Sequence, residues 1–298
     1  MTQPQRTRIR SMSRLGAVSL LSLCLVVAAS VTPATASPGA TPKGSAGGSY
    51  VALGDSFTSG QGAAPWLTSG EGAATYIDES CFQSRSGSYP TITAHRSSYR
   101  EALNFACSGA TTADVLGDQL DAIDASVKLK ASLVTLTVGG IDAGSNQVLA
   151  VCLYTPPLCG KALSDAQANL PTVLGNLVVT YTAVAAAFPN ARIVVLNYPL
   201  LFDPSVPSPL FPTELMVAVN GATDALNGVI AGAVFQTKNP RVSLTDVTQE
   251  FTGHGIGSEK PYITFNGLSD PASFHPNVLG NTAGYVAALR TDGVLRGR

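Results

Sequence analysis

The sequence predicts a single α/β domain of three layers, in which a central, mainly parallel sheet of five strands lies between two layers of helices. Short apolar runs alternate along the chain with longer segments that have the apolar spacing of helices. Polar or glycine-rich residues follow directly after four of the runs. The strand-like runs are Tyr50 to Leu53, Leu103 to Ala106, Leu133 to Val138, Arg192 to Asn197 and Arg241 to Leu244.

Helices are predicted in the segments between and after these runs. The clearest extends over 170–188, where apolar residues three and four positions apart form one face, and it ends before Pro189-Asn190. Two more are predicted over 213–234 and 276–289, the last with Pro276 at its first position. We interpret all three as helices that pack the core.

The ends of the predicted strands carry most of the candidate chemistry. The carboxyl ends of parallel strands meet at one edge of a sheet, so the residues that follow them converge on one cleft. Glycine turns at such an edge leave backbone N–H groups free to bind a reacting oxygen. The segments concerned are Ser56, Ser108-Gly109, Gly139 to Asp142 and Tyr198-Pro199.

Ser56 is the candidate nucleophile. It follows the first apolar run in Gly54-Asp55-Ser56-Phe57 and enters a glycine-rich turn. Gly, Asp and Ser are also ordinary turn residues, so the run needs a partner elsewhere in the chain. Serine chemistry requires a base near neutral pKa, and histidine is the side chain suited to that role.

Three histidines are present, and His275 is the best candidate for the base. His275 lies in Ser273-Phe274-His275-Pro276, directly before a predicted helix. His95 falls in a predicted surface helix, and His254 lies among glycines and is the main alternative.

Together these blocks resemble the GDSL or SGNH hydrolase family, in particular its secreted bacterial lipases and esterases. The resemblance rests on Gly54 to Phe57, Asn104 to Thr112 and Ser273 to Pro276, in that order along the chain. It implies a flavodoxin-like three-layer fold and hydrolysis of acyl esters through an acyl-enzyme. The serine of the first block would be the nucleophile, the histidine of the third the base, and the Gly109 N–H would face the oxyanion. No Gly-x-Ser-x-Gly run is present, which excludes the α/β-hydrolase nucleophile elbow.

The chain departs from the family pattern at two positions. Where the family has Gly-x-Asn-Asp, this chain reads Gly139-Gly140-Ile141-Asp142, so the asparagine donor is replaced by Ile141. The predicted oxyanion hole therefore consists of backbone N–H groups, those of Ser56, Gly109 and Gly140.

The second departure concerns the group that orients His275. The family often has Asp three residues before the histidine, and this chain has Ala272 there. Asp270 is the candidate third member, and a main-chain carbonyl around Ala272 to Ser273 is the alternative. A Ser–His dyad is the arrangement that we expect.

The first 48 residues predict export. Four arginines precede an apolar run from Leu15 to Val31, and Ala34-Thr35-Ala36 reads as a cleavage site. We therefore expect a signal peptide over 1–36, a flexible leader over 37–48 and the hydrolase domain over 49–298. The protein is then secreted and extracellular.

Charge and composition restrict the partners. Four of the 18 basic residues and none of the 19 acidic ones lie in the first 36 positions, which leaves 14 basic and 19 acidic residues and a net charge of −5. This balance argues against nucleic acid, and we expect no stable membrane anchor. No metal or other cofactor is predicted. The expected state is a monomer acting on a small-molecule or lipid ester.

Four cysteines remain after the predicted processing, and an even number in an exported chain favours disulfides. Four cysteines allow three connectivities. Proximity along the chain pairs Cys81 with Cys107 and Cys152 with Cys159, and the family resemblance implies the same pairs.

The sequence is compatible with more than one substrate and with more than one activity. Aromatic and apolar residues in 62–80 and 200–212 are candidates for an apolar wall beside an acyl chain. The loss of two supporting groups, at Ile141 and Ala272, raises the alternative of a catalytically impaired binding protein on the same scaffold. A polysaccharide deacetylase of the same fold is the other alternative.

Overall fold

The computed structural model describes residues 48–96, 99 and 102–295. The predicted signal peptide over 1–36 lies outside the described residues, as does all of the predicted leader except Gly48.

Five parallel strands form the central sheet in the order β2-β1-β3-β4-β5. This confirms the predicted α/β class, and every strand pair is parallel. The first and third strands are buried along nearly their whole length because helices cover both faces. The strands are β1 Ser49–Gly54, β2 Ala102–Asn104, β3 Ala131–Thr137, β4 Arg192–Leu196 and β5 Val242–Thr245.

Nine α-helices are assigned within the described residues. They are α1 Ser56–Ser59, α2 Tyr89–Arg96, α3 Thr112–Asp114, α4 Ala125–Lys130, α5 Ser145–Tyr154, α6 Cys159–Ala187, α7 Thr213–Gln236, α8 Thr248–Phe251 and α9 Val286–Thr291. Two π-helical turns, Val115–Gln119 and Gly280–Tyr285, and two 3-10 turns, Glu79–Cys81 and Pro156–Leu158, complete the set.

The strands divide their side chains between two hydrophobic cores. Successive residues of a strand point to opposite faces, so Val51 and Leu53 of β1 enter one core while Tyr50 and Ala52 enter the other. The first core is covered mainly by α6 and α7, and the second mainly by α2 and α9. The result is the three-layer arrangement predicted from the sequence.

The predicted helix over 170–188 begins earlier than expected, because α6 extends from Cys159 and passes through Pro171. Residues 159–169 are half-buried or exposed and so show no apolar periodicity. This first part of α6 is held by its packing on α5.

The predicted start of the last helix at Pro276 is wrong. Pro276 forms an isolated antiparallel bridge with Ile263, and helical structure begins only after Asn277. The Asn277 side chain accepts the Gly280 N–H at 2.9 Å, as residues at helix starts do. Pairing with a distant segment thus overrides the preference of proline for a first helical position.

The described part of the chain contains two disulfides, Cys81–Cys107 and Cys152–Cys159, the pairs that proximity favours. The first joins the segment before α2 to the turn that contains Gly109. The second joins the end of α5 to the start of α6.

Among the residues that the structure describes, two helical segments are long and apolar enough to cross a membrane by length and composition alone, Pro156–Ala187 and Thr213–Gln236. Both supply buried side chains to the core of the domain, and core helices commonly have such composition.

Candidate active site

Ser56 lies directly after β1 at the carboxyl edge of the sheet. The chain turns at Gly54, whose φ of 121° lies in the region that favours glycine, and a Cβ there would clash with the Thr137 carbonyl. Asp55 caps the short helix α1, its carboxylate accepting the Phe57 N–H at 3.0 Å. Ser56 is the first residue of that helix and is only 6% exposed.

His275 meets Ser56 across the length of the chain. Its Nε2 lies 2.8 Å from the Ser56 Oγ, and its Nδ1 lies 2.8 Å from the Ser273 carbonyl oxygen. A carbonyl only accepts, so Nδ1 carries the ring proton and Nε2 is free to accept from the serine hydroxyl. The sequence-predicted nucleophile and base are therefore in hydrogen-bonding contact.

Asp270 does not bond the His275 ring. The prediction that it is a third catalytic member is therefore corrected in favour of the alternative, a main-chain carbonyl. Its carboxylate accepts the Ala272 N–H at 2.7 Å and shapes the loop before the histidine. The group that bonds the imidazole is the Ser273 carbonyl. Ser273 is itself fixed, because its Oγ donates to the Gly267 carbonyl at 2.7 Å and accepts the Asn266 N–H at 3.0 Å.

The other two histidines lie elsewhere. His254 Nδ1 bonds the Lys260 carbonyl at 2.8 Å, and its ring stacks on Tyr262 with centroids 3.8 Å apart. His95 is exposed on α2. Neither lines the cavity at Ser56.

Two of the three predicted oxyanion donors have backbone N–H groups that are free of protein acceptors among the described residues. Within the described part of the chain, neither the Ser56 nor the Gly109 N–H has a protein acceptor. The Gly109 turn is held against β1, since the Cys107 N–H donates to the Gly54 carbonyl at 3.1 Å. Gly109 has a φ of 77°, a conformation that favours glycine.

The prediction that Gly140 also contributes its N–H is corrected. That N–H donates to the Tyr198 hydroxyl at 2.8 Å. The sequence predicts Tyr198 only as a residue at a strand end, because its bond to Gly140 depends on the fold. Its backbone is fixed by the Asn227 side chain, which bonds both the Tyr198 N–H and its carbonyl.

Ile141 lies where the family asparagine would be and lines a cavity of about 80 Å³ together with Ser56 and His275. The exposed Asn146 lines the same cavity. The frame of this turn is intact, because Asp142 accepts the Thr112 N–H at 3.0 Å. An aliphatic residue thus lines the cavity at Ser56 at the position where the family has a donor.

The predicted apolar walls contribute little to this cavity. Leu201, from the second predicted segment, lines it. In the first segment, Trp66 packs against Phe82 with ring centroids 5.0 Å apart, and Ile77 is fully buried. Those residues are packing anchors.

Two ionisable groups of the site have strongly shifted pKa values. Burial raises the pKa of Asp55 from its usual 3.8 to about 7, although the Tyr198 hydroxyl, which donates to its carboxylate at 2.5 Å, opposes the shift. Burial lowers the pKa of His275 from 6.5 to about 4. The Ser273 carbonyl opposes this shift because it stabilises the protonated ring. The imidazole is therefore neutral and able to accept a proton at neutral pH.

These shifts predict opposite effects of pH on stability. Between pH 3.8 and about 7 the folded protein keeps an Asp55 proton that the unfolded chain releases, so the free energy of unfolding falls as pH rises. Between about 4 and 6.5 the unfolded chain binds a His275 proton that the folded protein excludes, so stability falls as pH falls. In wild type the two slopes oppose each other.

Single substitutions should separate the slopes. We expect the free energy of unfolding of Asp55→Asn to rise with pH by up to about 1.4 kcal/mol per unit between about pH 4.5 and 6.5, and that of His275→Ala to fall over the same range. Urea unfolding at several pH values measures both. Parallel pH profiles for the two variants and wild type would contradict the assignment.

Within residues 48–96, 99 and 102–295, no group of three His, Cys, Asp or Glu side chains lies close enough together to hold a metal ion.

A serine hydroxyl bonded to an imidazole at the carboxyl edge of a parallel sheet is the arrangement of a serine hydrolase. Residues 52–283 match the model of the GDSL-like lipase/acylhydrolase family. The chain belongs to this family and is a carboxylic ester hydrolase.

Several relatives are lipases of Streptomyces. The chain is 32% identical over 274 residues to Lipase 1 of Streptomyces coelicolor. This alignment covers 91% of this chain and 95% of the Streptomyces coelicolor protein. The crystal structure of the extracellular lipase of Streptomyces rimosus has 32% identity and a TM-score of 0.70, covering 82% of this chain and 99% of that one. The crystal structure of phospholipase A1 of Streptomyces albidoflavus has 33% identity to this chain and a TM-score of 0.71. The match covers 83% of this chain and 99% of the phospholipase.

Proposed function

We propose that this protein is a secreted lipase or esterase, active as a monomer, that cleaves acyl esters through an acyl-enzyme on Ser56. The observation that carries the proposal is the 2.8 Å contact between Ser56 Oγ and His275 Nε2. The contact lies within the range required of a nucleophile and its base, and the other ring nitrogen is held by a carbonyl.

In the proposed reaction His275 accepts the hydroxyl proton as Ser56 Oγ attacks the ester carbonyl. The N–H groups of Ser56 and Gly109 stabilise the oxyanion, and the Ser273 carbonyl stabilises the imidazolium through Nδ1. The imidazolium then protonates the leaving alcohol. A water molecule, activated by the same ring, releases the acid and restores the serine.

We propose that the site operates with a reduced oxyanion hole. The Ile141 side chain cannot donate, and the Gly140 N–H is bonded to Tyr198. Loss of one donor of this kind costs about 10²- to 10³-fold in kcat. The proposed enzyme is therefore slower than one with asparagine at this position, and catalysis persists on the two remaining donors.

Export is part of the proposal. The basic and apolar segments before Ala36 support a signal peptide over 1–36, followed by a leader over 37–48 and the hydrolase domain over 49–298. The two disulfides and the description of the Streptomyces rimosus relative as extracellular agree with an oxidising location.

A panel of p-nitrophenyl esters from acetyl to palmitoyl, combined with a phosphonate ester that labels nucleophilic serines, tests the proposal. We expect hydrolysis above the buffer rate and one label per chain, on the peptide that contains Ser56. The matched control is His275→Ala, which should slow the labelling. Buffer-level rates across the panel without labelling would instead favour the impaired binding protein that Ile141 suggests.

A further inference from the structure

The backbone at Phe274, directly before the base, has a conformation that phenylalanine rarely adopts. Its φ is 66°, in the left-handed region that favours glycine. Within the described part of the chain, Phe82 and Lys238 are the only other non-glycine residues with a positive φ. For a residue with a Cβ this region is disfavoured by about 5- to 30-fold in population, so the surrounding structure must hold Phe274 there.

Phe274 is the third residue of a tight turn. The His275 N–H donates to the Ala272 carbonyl at 3.3 Å, which closes a four-residue turn over 272–275. A positive φ at the third position alone is the mark of a type II turn, in which glycine is the usual third residue. Ser273, at the second position, does not have a positive φ, so the turn is of this type.

The turn type sets the direction of the Ser273 carbonyl. A type I turn, which most residues can form, differs from type II by a rotation of about 150° to 170° of the peptide unit between its second and third residues. Here that unit joins Ser273 to Phe274. Its carbonyl bonds His275 Nδ1 at 2.8 Å, and its N–H donates to the Thr264 carbonyl, also at 2.8 Å. Relaxation of Phe274 to a negative φ would rotate this peptide and remove both bonds.

A cluster of four phenylalanine rings holds the turn in place. The Phe274 ring packs against Phe265 with centroids 5.5 Å apart, and the rings of Phe202 and Phe211 each lie 6.3 Å from it. Phe211 in turn lies 4.9 Å from Phe265 and 5.0 Å from Phe202. The rings meet in tilted and edge-to-face geometries, which stabilise aromatic pairs. The cluster therefore fixes the Phe274 ring and, with it, the backbone that carries the ring.

We propose that Phe274 is a positioning residue for His275. Its ring, anchored in the phenylalanine cluster, keeps the turn in the type II form, and this turn presents the Ser273 carbonyl to Nδ1. The carbonyl keeps the ring proton on Nδ1 and so leaves Nε2 free to accept from Ser56. The inference rests on the proposed function where it concerns turnover, and on the fold alone where it concerns the tautomer of His275.

Comparison of Phe274→Gly with Phe274→Ala tests the proposal. Both remove the ring, but only glycine adopts a positive φ without steric cost. We expect kcat for a short-chain ester to be at least about tenfold below wild type in Phe274→Ala and at least about fivefold higher in Phe274→Gly than in Phe274→Ala. A role in packing alone gives the reverse order or equal values, because glycine fills less of the cluster than alanine. Either of those results would overturn the proposal.

Lys238 provides the matched control. It is exposed just after α7, has a φ of 50° and does not line the cavity at Ser56. Lys238→Gly should have a higher melting temperature than Lys238→Ala for the same backbone reason, while both keep wild-type kcat. A fall in kcat of Lys238→Ala equal to that of Phe274→Ala would also overturn the assignment, because the effect would then come from general stability.

The tautomer of His275 is measured by NMR without any substrate. Long-range ¹H–¹⁵N spectra at about pH 8 report which ring nitrogen carries the proton, and His275→Ala identifies the signals. We expect the proton on Nδ1 in wild type and Phe274→Gly, and largely on Nε2 in Phe274→Ala. Retention on Nδ1 in Phe274→Ala would refute the proposal. A shift to Nε2 supports it even where wild type hydrolyses no ester, a result that defeats only the proposed function.

Should circular dichroism show that Phe274→Ala is not folded, Phe274→Val takes its place. Valine keeps more apolar volume in the cluster and, being branched at Cβ, is excluded from positive φ more strongly than alanine. It should again lie below Phe274→Gly in kcat and carry the His275 proton on Nε2. Equal kcat and the same tautomer in Phe274→Val and Phe274→Gly would contradict the role of the turn.

Discussion

Replacing Ser56 or His275 with alanine should each lower kcat for a short-chain ester by roughly 10³- to 10⁶-fold. The two side chains act as one unit, since the imidazole has no proton to accept without the hydroxyl, and the hydroxyl is a poor nucleophile without the base. The double variant should therefore be scarcely slower than either single one. Turnover of butyrate under saturating conditions measures the effect.

The fold should survive both changes. The backbone of the His275 loop is bonded independently of the ring, with the Phe274 N–H on the Thr264 carbonyl and the Thr264 N–H on the His275 carbonyl, each at 2.8 Å. Circular dichroism and melting temperature provide the check on folding. His254→Ala serves as the matched control and should keep wild-type turnover, because its ring stacks on Tyr262 away from the site. Loss of activity in His254→Ala with retention in His275→Ala would refute the assigned base.

Replacing Ile141 with asparagine should raise kcat by about 10- to 10³-fold, equivalent to roughly 1.4 to 4 kcal/mol of transition-state stabilisation. Ile141 lines the cavity at Ser56, and the turn that carries it is held by the bonds of Asp142 to Thr112. An amide at this position can donate to the oxyanion, which neither an aliphatic side chain nor the occupied Gly140 N–H can do. KM should change little, because the new bond forms mainly in the transition state.

The alternative donor in this cavity is Asn146, which is exposed at its edge. Kinetics and melting temperatures of Ile141→Asn, Ile141→Leu and Asn146→Ala distinguish the two. Ile141→Leu keeps the apolar character without a donor and should have wild-type kcat. A destabilised Ile141→Asn with no gain in kcat, together with a large loss in Asn146→Ala, would show that Asn146 already serves the hole.

The element types and the contacting pair of Ser56 and His275 could be predicted from the sequence because each prediction rests on a local pattern. A helix face appears as apolar residues three and four positions apart, as in the second half of α6. A strand end followed by Gly54-Asp55-Ser56 marks a turn at the edge of a sheet. The first half of α6 was missed because its half-buried surface has no such periodicity.

The α/β class, the five strands and the pair Ser56 and His275 could be predicted from the sequence, since these depend on residue type and short spacing. The groups that those residues bond follow from the tertiary structure. It selected the Ser273 carbonyl over Asp270, and it gave the Gly140 N–H to a tyrosine whose hydroxyl also bonds Asp55, 143 positions away. The physical reason is that a hydrogen bond forms only within a few tenths of an ångström of its ideal length. Packing of distant segments sets such distances.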